Sequence, residues 1–176
     1  MSGTIAKRDT AIPAAPTRAK GRAERMGEHT REFLAFELAG ERFGLPLAAI
    51  REILKVAPIT EVPRAPRDVL GILSVRGRIT TVIDLRRRLR MPPVEPGKAA
   101  RILLVDGGEE VLGLLVDQVF QVYRLQPDEL ELAAVVAGDM SEYVHGIGRP
   151  GGLERDDGGD DIMILLDPEP LLPPSS

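Results

Sequence analysis

The stretch VLGILSVRGRITTVIDL, residues 69–85, decides the fold. Two apolar segments, residues 69–75 and 79–85, flank the polar turn Arg76-Gly77-Arg78. Short apolar runs that meet at a glycine-containing turn are typical of a β-hairpin. The arginine at the tip has two interpretations, because Arg76 is either an ordinary solvent-exposed turn residue or a contact residue for a partner.

The composition is that of an ordinary globular chain. The 176 residues are 43% hydrophobic and 28% charged, with a net charge of −4 and no cysteine. The sequence contains neither the roughly 18 consecutive apolar residues of a membrane span nor a secretion signal. We therefore expect a cytoplasmic protein without direct membrane insertion. Only 3% of the residues are aromatic, which argues against nucleic-acid binding, and the basic residues 86–90 are interpreted as a solvent-exposed helical turn.

Short strands separated by turns continue on both sides of the opening hairpin. Alternating apolar residues around Ala39-Gly40-Glu41 predict one further hairpin, and the apolar runs around Gly107-Gly108 predict another. Residues 119–125 predict an additional strand. Between the first two hairpins, the apolar residues of segment 47–54 recur at helical spacing and predict a short helix of about two turns.

The ends of the chain differ in composition from its centre. Residues 1–30 are rich in Ala, Pro, Arg and Lys and have no apolar period, which predicts a disordered tail. Residues 31–172 are predicted to form the folded domain. Residues 173–176 are predicted to be a short tail.

The second half of the domain repeats the pattern of the first. Gly71-Ile72 corresponds to Gly146-Ile147, and Val82-Ile83-Asp84-Leu85 corresponds to Leu165-Leu166-Asp167-Pro168. The repetition predicts a mainly β fold of two small barrels related by duplication, the first at about residues 31–95 and the second at about 96–172. A groove between the barrels is the natural place for a partner to dock. The aspartates that end the two repeated strands are predicted to be helix caps rather than catalytic groups.

Motifs that could carry chemistry are incomplete. Residues 146–151 match G-x-G-x-x-G, but no helix pattern follows to hold a phosphate. The acidic cluster at residues 156–161 lacks the spacing of a calcium loop. His29 and His145 lie far apart in the sequence and predict neither a metal pair nor a catalytic triad. No catalytic residue, metal site or cofactor is predicted, which favours a binding module over an enzyme.

An ordered set of short motifs resembles the CheW-like chemotaxis coupling domain over about residues 31–172. The motifs are residues 33–38, Gly44-Leu45-Pro46, Ile50-Arg51-Glu52-Ile53, residues 62–66, Gly71-Ile72, Val75-Arg76-Gly77, Val82-Ile83-Asp84-Leu85, residues 113–117, Gly146-Ile147-Gly148 and residues 164–167. The resemblance implies two intertwined, five-stranded SH3-like barrels with short helices. Whether the barrels exchange strands is left open.

The resemblance also implies a function. It implies a non-catalytic adaptor that couples the cytoplasmic tip of methyl-accepting chemoreceptors to the regulatory domain of a CheA-type histidine kinase. Such an adaptor is expected in the cytoplasm, recruited to membrane-associated receptor arrays. The resemblance implies protein-contact roles for Arg76, Gly77, Ile50, Glu52 and Ile53.

Two alternatives stay open at this point. Ile50 and Ile53 have the spacing of core residues, so the sequence does not separate a contact role from a core role. The whole domain could instead be a small-ligand-binding sensor that uses the groove between the barrels and His145.

Overall fold

The computed structural model describes residues 30–132, 142–151 and 162–172. Within these residues eleven strands form two sheets, joined by two short α-helices and two 3-10 turns, and the predicted mainly β class is confirmed. The strands are β1 (Arg31–Leu38), β2 (Glu41–Pro46), β3 (Ile50–Lys55), β4 (Val69–Val75), β5 (Arg78–Asp84), β6 (Arg101–Asp106), β7 (Val111–Val116), β8 (Gln118–Leu125), β9 (Leu130–Leu132), β10 (Val144–Gly148) and β11 (Met163–Leu166). The helices are α1 (Leu85–Arg88) and α2 (Pro168–Leu171), and the 3-10 turns span Leu47–Ala49 and Pro127–Glu129. The predicted tails lie outside the described residues, apart from Thr30.

The two halves of the chain exchange hairpins. The first sheet has the order β8-β1-β2-β11-β10-β9, and the second has the order β3-β6-β7-β5-β4. The hairpin β1–β2 therefore lies in a sheet with strands of the second half, whereas β6–β7 lies with strands of the first half. The predicted division near residue 95 consequently does not separate the sheets. The first sheet has six strands rather than five, because the short β9 pairs with the edge of β10.

The predicted duplication is confirmed in the strand register. Gly71 pairs with Val82 in one sheet, and Gly146 pairs with Leu165 in the other. Each glycine follows a β-bulge, and each pair of strands is extended by a parallel neighbour, β7 beside β5 and β2 beside β11. An isolated bridge from Thr60 to Ile72 occupies the place that β9 takes in the first sheet.

Three apolar clusters fill the interior. The largest draws side chains from both sheets, including Phe36 and Phe43, whose rings stack with centroids 6.1 Å apart, and Ile83 and Leu114 from the second sheet. A second cluster lies around Val82 and is built from the second sheet and its adjoining loop. A third is confined to the first sheet. The shared cluster joins the two sheets into one body.

The predicted helix at residues 47–54 is wrong. The structure has the 3-10 turn Leu47–Ala49 followed by β3. A β-bulge between Ile50 and Glu52 shifts the register against β6, so Ile50 packs on the shared cluster while Leu54 packs on the cluster around Val82. Apolar residues directed to both faces of a bulged strand imitate helical spacing.

A half-buried ion pair lies at the junction of the exchanged hairpins. The guanidinium of Arg86, at the start of α1, donates to both carboxylate oxygens of Asp117 at 2.6–3.1 Å. The same carboxylate accepts the backbone N–H of Ala39, in the β1–β2 turn, at 2.8 Å. Burial acts to raise the pKa of Asp117, but the hydrogen bonds and the charge of Arg86 outweigh burial, and the pKa is lowered from its ordinary value.

Gly71 is the glycine whose replacement the fold tolerates least. Its φ is +149°, and a Cβ there would lie 2.1 Å from the carbonyl oxygen of Thr60, which accepts the N–H of Ile72 at 2.8 Å. Gly71→Ala is expected to lower the free energy of unfolding by about 2–5 kcal/mol in urea titrations. Gly108→Ala is the control, because Gly108 also has a positive φ but has open space around it, and about 1–2 kcal/mol is expected. Equal losses would contradict the role of the close contact with Thr60.

Removing the charge of Asp117 tests the ion pair. Asp117→Asn is expected to lower the free energy of unfolding at pH 7 by about 1–3 kcal/mol, because the Arg86 guanidinium loses its anionic partner. The pKa of Asp117 is depressed in the folded state. The wild type therefore keeps this stabilisation above about pH 4, which is the pKa of an aspartate in the unfolded chain. It loses the stabilisation as the pH falls through the lower pKa of Asp117 in the folded state. Denaturation curves of wild type and variant should converge in acid, and a pH-independent difference would contradict the assignment.

Candidate protein-contact site

A two-residue turn forms the tip of the β4–β5 hairpin. Arg76 and Gly77 have φ values of +49° and +79°, and Val75 pairs with Arg78 across the turn. Positive φ at both central residues is the geometry of a type I′ turn, which matches the twist of a hairpin. The turn is thus shorter than predicted, since Arg78 already belongs to β5. Gly77 is needed for its backbone conformation rather than for space, because a Cβ there would meet no atom within 4 Å.

The side chain of Arg76 is exposed but not free. It is 75% exposed and forms a two-pronged ion pair with Glu52 of β3, with Nη1 to Oε2 at 2.7 Å and Nη2 to Oε1 at 2.5 Å. The hydrogen bond to Glu52, followed by its negative charge, raises the pKa of Arg76. The guanidinium therefore stays charged and is held in one orientation at the surface.

The structure brings together residues that the sequence placed in separate motifs. Arg76 and Glu52 are 24 residues apart in the chain and meet because the hairpin tip approaches β3. Ile53, the next residue of β3, is 43% exposed, whereas Ile50 is half-buried and packs against the shared cluster. The geometry thus favours Ile53 as a contact residue and Ile50 as a core residue.

Ile79 was missed by the sequence analysis. It lies on β5, two residues after Gly77, and is 67% exposed. Its neighbour Thr80 is buried instead. Because Val82 and Ile83 are both buried, the two-residue period of the strand does not by itself assign Ile79 to the exposed face. An exposed isoleucine beside the turn adds apolar surface to the candidate site.

The aspartates and the histidine considered as chemical groups make contacts within the fold. Asp84 and Asp167 cap α1 and α2 by accepting backbone N–H groups at 3.0 Å, as predicted. Burial raises the pKa of Asp84, against the opposing effect of hydrogen bonds from Arg86 and Arg87. His145 lies on β10, with its Nε2 2.9 Å from the guanidinium of Arg31.

Within the described residues, the glycine motif does not lead into a helix that could hold a phosphate. Gly146 and Gly148 belong to β10, and residues 149–151 form no helix. The acidic residues 156–161 lie outside the described residues. In residues 30–132, 142–151 and 162–172, three or more metal-ligating side chains do not come together. Across the same ranges, no helix has the length and apolar character needed to cross a membrane.

Comparison with known proteins identifies the family. A family model described as the CheW-like domain matches residues 32–174. Chemotaxis protein CheW of Klebsiella aerogenes is 30% identical over 142 residues, which cover 80% of this chain and 81% of the relative. Probable chemotaxis protein CheW of Rhizobium etli is 28% identical over 123 residues, which cover 69% and 79% of the two chains.

A solved structure shows the same architecture. The crystal structure of the scaffolding protein TtCheW from Thermoanaerobacter tengcongensis matches with a TM-score of 0.68 at 28% identity, covering 78% of this chain and 88% of that one. The fold of this neighbour is a known SH3-like β fold. With the family model spanning nearly all of the described residues, the chain belongs to the CheW-like domain family.

Proposed function

We propose that this protein is a non-catalytic chemotaxis adaptor that couples methyl-accepting chemoreceptors to a CheA-type histidine kinase. Its partners are the cytoplasmic tip of the receptors and the regulatory domain of the kinase. The observation that carries the proposal is the exposed Arg76–Glu52 pair at the tip of a rigid hairpin in a CheW-like fold. The protein then acts in the cytoplasm, recruited to membrane-associated receptor arrays.

The chemistry of the hairpin tip suits a protein interface. Arginine is enriched at the centres of interfaces, because its planar guanidinium pairs with carboxylates and its flat faces pack on apolar groups. Ile53 and Ile79, both exposed, follow Glu52 and the turn in the chain and supply apolar surface. A charged anchor with apolar neighbours is the usual composition of an interface core.

An adaptor needs no chemistry of its own. By occupying a receptor and a kinase together, it raises the effective concentration of each for the other. The small-ligand sensor is the less favoured alternative. His145, on which that alternative relied, has its Nε2 2.9 Å from the guanidinium of Arg31. It lines neither the cleft beside α1 nor the cleft around Phe120.

Reversing the charge at the hairpin tip tests the proposal. Arg76→Glu is expected to weaken binding to the regulatory domain of a CheA-type kinase from the same genome by at least about tenfold. The midpoint of thermal unfolding should stay at the wild-type value, because Arg76 is exposed and its ion pair is screened by water. Isothermal titration calorimetry and a thermal melt measure the two quantities on the same protein.

Arg78→Glu is the matched control for this substitution. Arg78 is exposed on the same hairpin, two residues away, and its replacement makes the same change in net charge. It should weaken binding much less. Equal weakening by both variants would indicate a general charge effect, parallel loss of stability and binding would make Arg76 structural, and no binding by the wild type would overturn the adaptor function.

A double-mutant cycle separates two roles for Glu52. If Glu52 acts by holding Arg76, then Glu52→Gln should weaken kinase binding about fivefold in the wild type, because the freed side chain must be ordered on binding. The same substitution should have no further effect once Arg76 is replaced by Gln. Additive losses would instead show that Glu52 contacts the partner directly.

A further inference from the structure

A basic cleft lies at the end of β5 opposite the Arg76-Gly77 turn. Since β5 has seven residues, the two features are separated by about 20 Å. The cleft has a volume of about 720 Å³ and opens beside α1. The charged and polar side chains that line it are Arg67, Asp68, Arg87, Arg88, Arg90 and Tyr143.

The side chain of Arg88 lines this basic cleft and is held in place by two contacts. One terminal nitrogen pairs with Asp68 at 2.7 Å, and the other donates to the carbonyl oxygen of Leu171 at 2.8 Å. Arg87 is also anchored, because it donates to the carbonyl oxygen of Arg67 at 3.1 Å. Arg87 also pairs with Asp84 at 3.4 Å. Both side chains are therefore anchored in the fold and paired with carboxylates.

Arg67 lines the cleft without an intramolecular partner for its charge. The residue is exposed, and its guanidinium makes no hydrogen bond or ion pair within the part of the chain that the structure describes. Nothing in the fold therefore requires a positive charge there. A charge placed at the rim of a cleft without a structural partner is available to a ligand.

Arg90 occupies a position that favours glycine. It follows Leu89, the residue that caps the C-terminus of α1, and its φ is +61°. Helices commonly end with a glycine in this left-handed conformation, because any side chain adds a steric cost. Backbone strain of this kind is concentrated at functional sites. The strained backbone places a second exposed arginine on the same cleft.

The rest of the lining indicates an acidic peptide rather than a nucleic acid. Among the described residues that line the cleft, four are arginines and one, Asp68, carries a carboxylate, in a protein whose net charge is −4. Met91 and Pro93 add apolar surface. Of the described residues that line the cleft, Tyr143 alone is aromatic, whereas nucleic-acid strands usually stack on several aromatic side chains. Burial, followed by a hydrogen bond to Glu142 and the charge of Glu142, raises the pKa of Tyr143, so its hydroxyl stays protonated.

We propose that this cleft binds an acidic segment of a partner protein, with Arg67 and Arg90 pairing with its carboxylates and Met91 and Pro93 contacting apolar residues between them. The inference does not rest on the Arg76 surface. The two sites lie at opposite ends of β5, so a peptide in the cleft leaves the hairpin tip accessible.

Fluorescence anisotropy with defined probes tests this proposal on the full chain. The probe is a labelled synthetic peptide in which glutamate alternates with leucine and serine, and its twin carries glutamine in place of every glutamate. Wild-type protein should bind the glutamate peptide saturably at low ionic strength and should not bind the twin. Arg67→Gln combined with Arg90→Gly should weaken binding about tenfold.

The control is Arg124→Gln on β8, which removes one of the two charges that the double variant removes. Arg124 lies in the other sheet, is 76% exposed at its side chain and pairs with Glu32. Its replacement should leave peptide binding unchanged. Equal weakening by this control, equal binding of the glutamine twin, or absence of saturable binding by the wild type would overturn the proposal. Tighter binding of an oligothymidylate of similar length would assign the cleft to nucleic acid instead.

Arg90→Gly by itself separates binding from structure. Glycine relieves the strained left-handed backbone, and this gain exceeds the loss of an exposed contact of the arginine side chain. The midpoint of thermal unfolding should therefore rise, while peptide affinity should fall severalfold. Opposite changes in stability and affinity are not expected of a residue that serves only the fold. A fall in both quantities would make Arg90 structural and overturn its assignment to the peptide site.

Discussion

Two parallel strand pairs join the halves of this chain, and the rest of the structure depends on them. β5 of the first half pairs with β7 of the second, and β11 pairs with β2. Parallel neighbours cannot be connected by a short turn, so each pair requires the intervening chain to fold back. Because each sheet takes a hairpin from the other half, neither half completes its sheet alone. The shared apolar cluster and the Arg86–Asp117 pair then hold the junction that this exchange creates.

The same strand pairing fixes the two candidate binding surfaces relative to each other. β5 lies between β7 and β4, with the Arg76-Gly77 turn before it and the Asp84 cap of α1 after it. Residues 81–84 of β5 pair with a strand on each side, whereas residues 78–80 pair with β4 alone. The hairpin tip and the basic cleft therefore lie at the two ends of one strand, which sets the distance between them. An adaptor benefits from a set distance between its binding surfaces, since less entropy is lost when both partners are bound.

The sequence predicted correctly those elements that are determined by residues close together in the chain. The hairpin at residues 69–85, the duplication and the aspartate caps all follow from short-range periodicity and turn chemistry, and all are present. The error at residues 47–54 arose because a bulge between Ile50 and Glu52 changes which face each residue occupies, and a bulge has no distinctive sequence pattern. The exchange of hairpins and the Arg76–Glu52 contact could not be read from neighbouring residues, since both depend on the packing of distant segments.

A comparison within the fold explains why the guanidinium of Arg76 requires a functional account. The β1–β2 turn, Ala39-Gly40, has nearly the same backbone as Arg76-Gly77, with φ values of +53° and +81°. Ala39 shows that a methyl side chain satisfies this conformation, and its N–H is used internally by Asp117. The backbone therefore does not require arginine at the first turn position. What distinguishes Arg76 is its exposure and its pairing with Glu52, and both concern the surface rather than the fold.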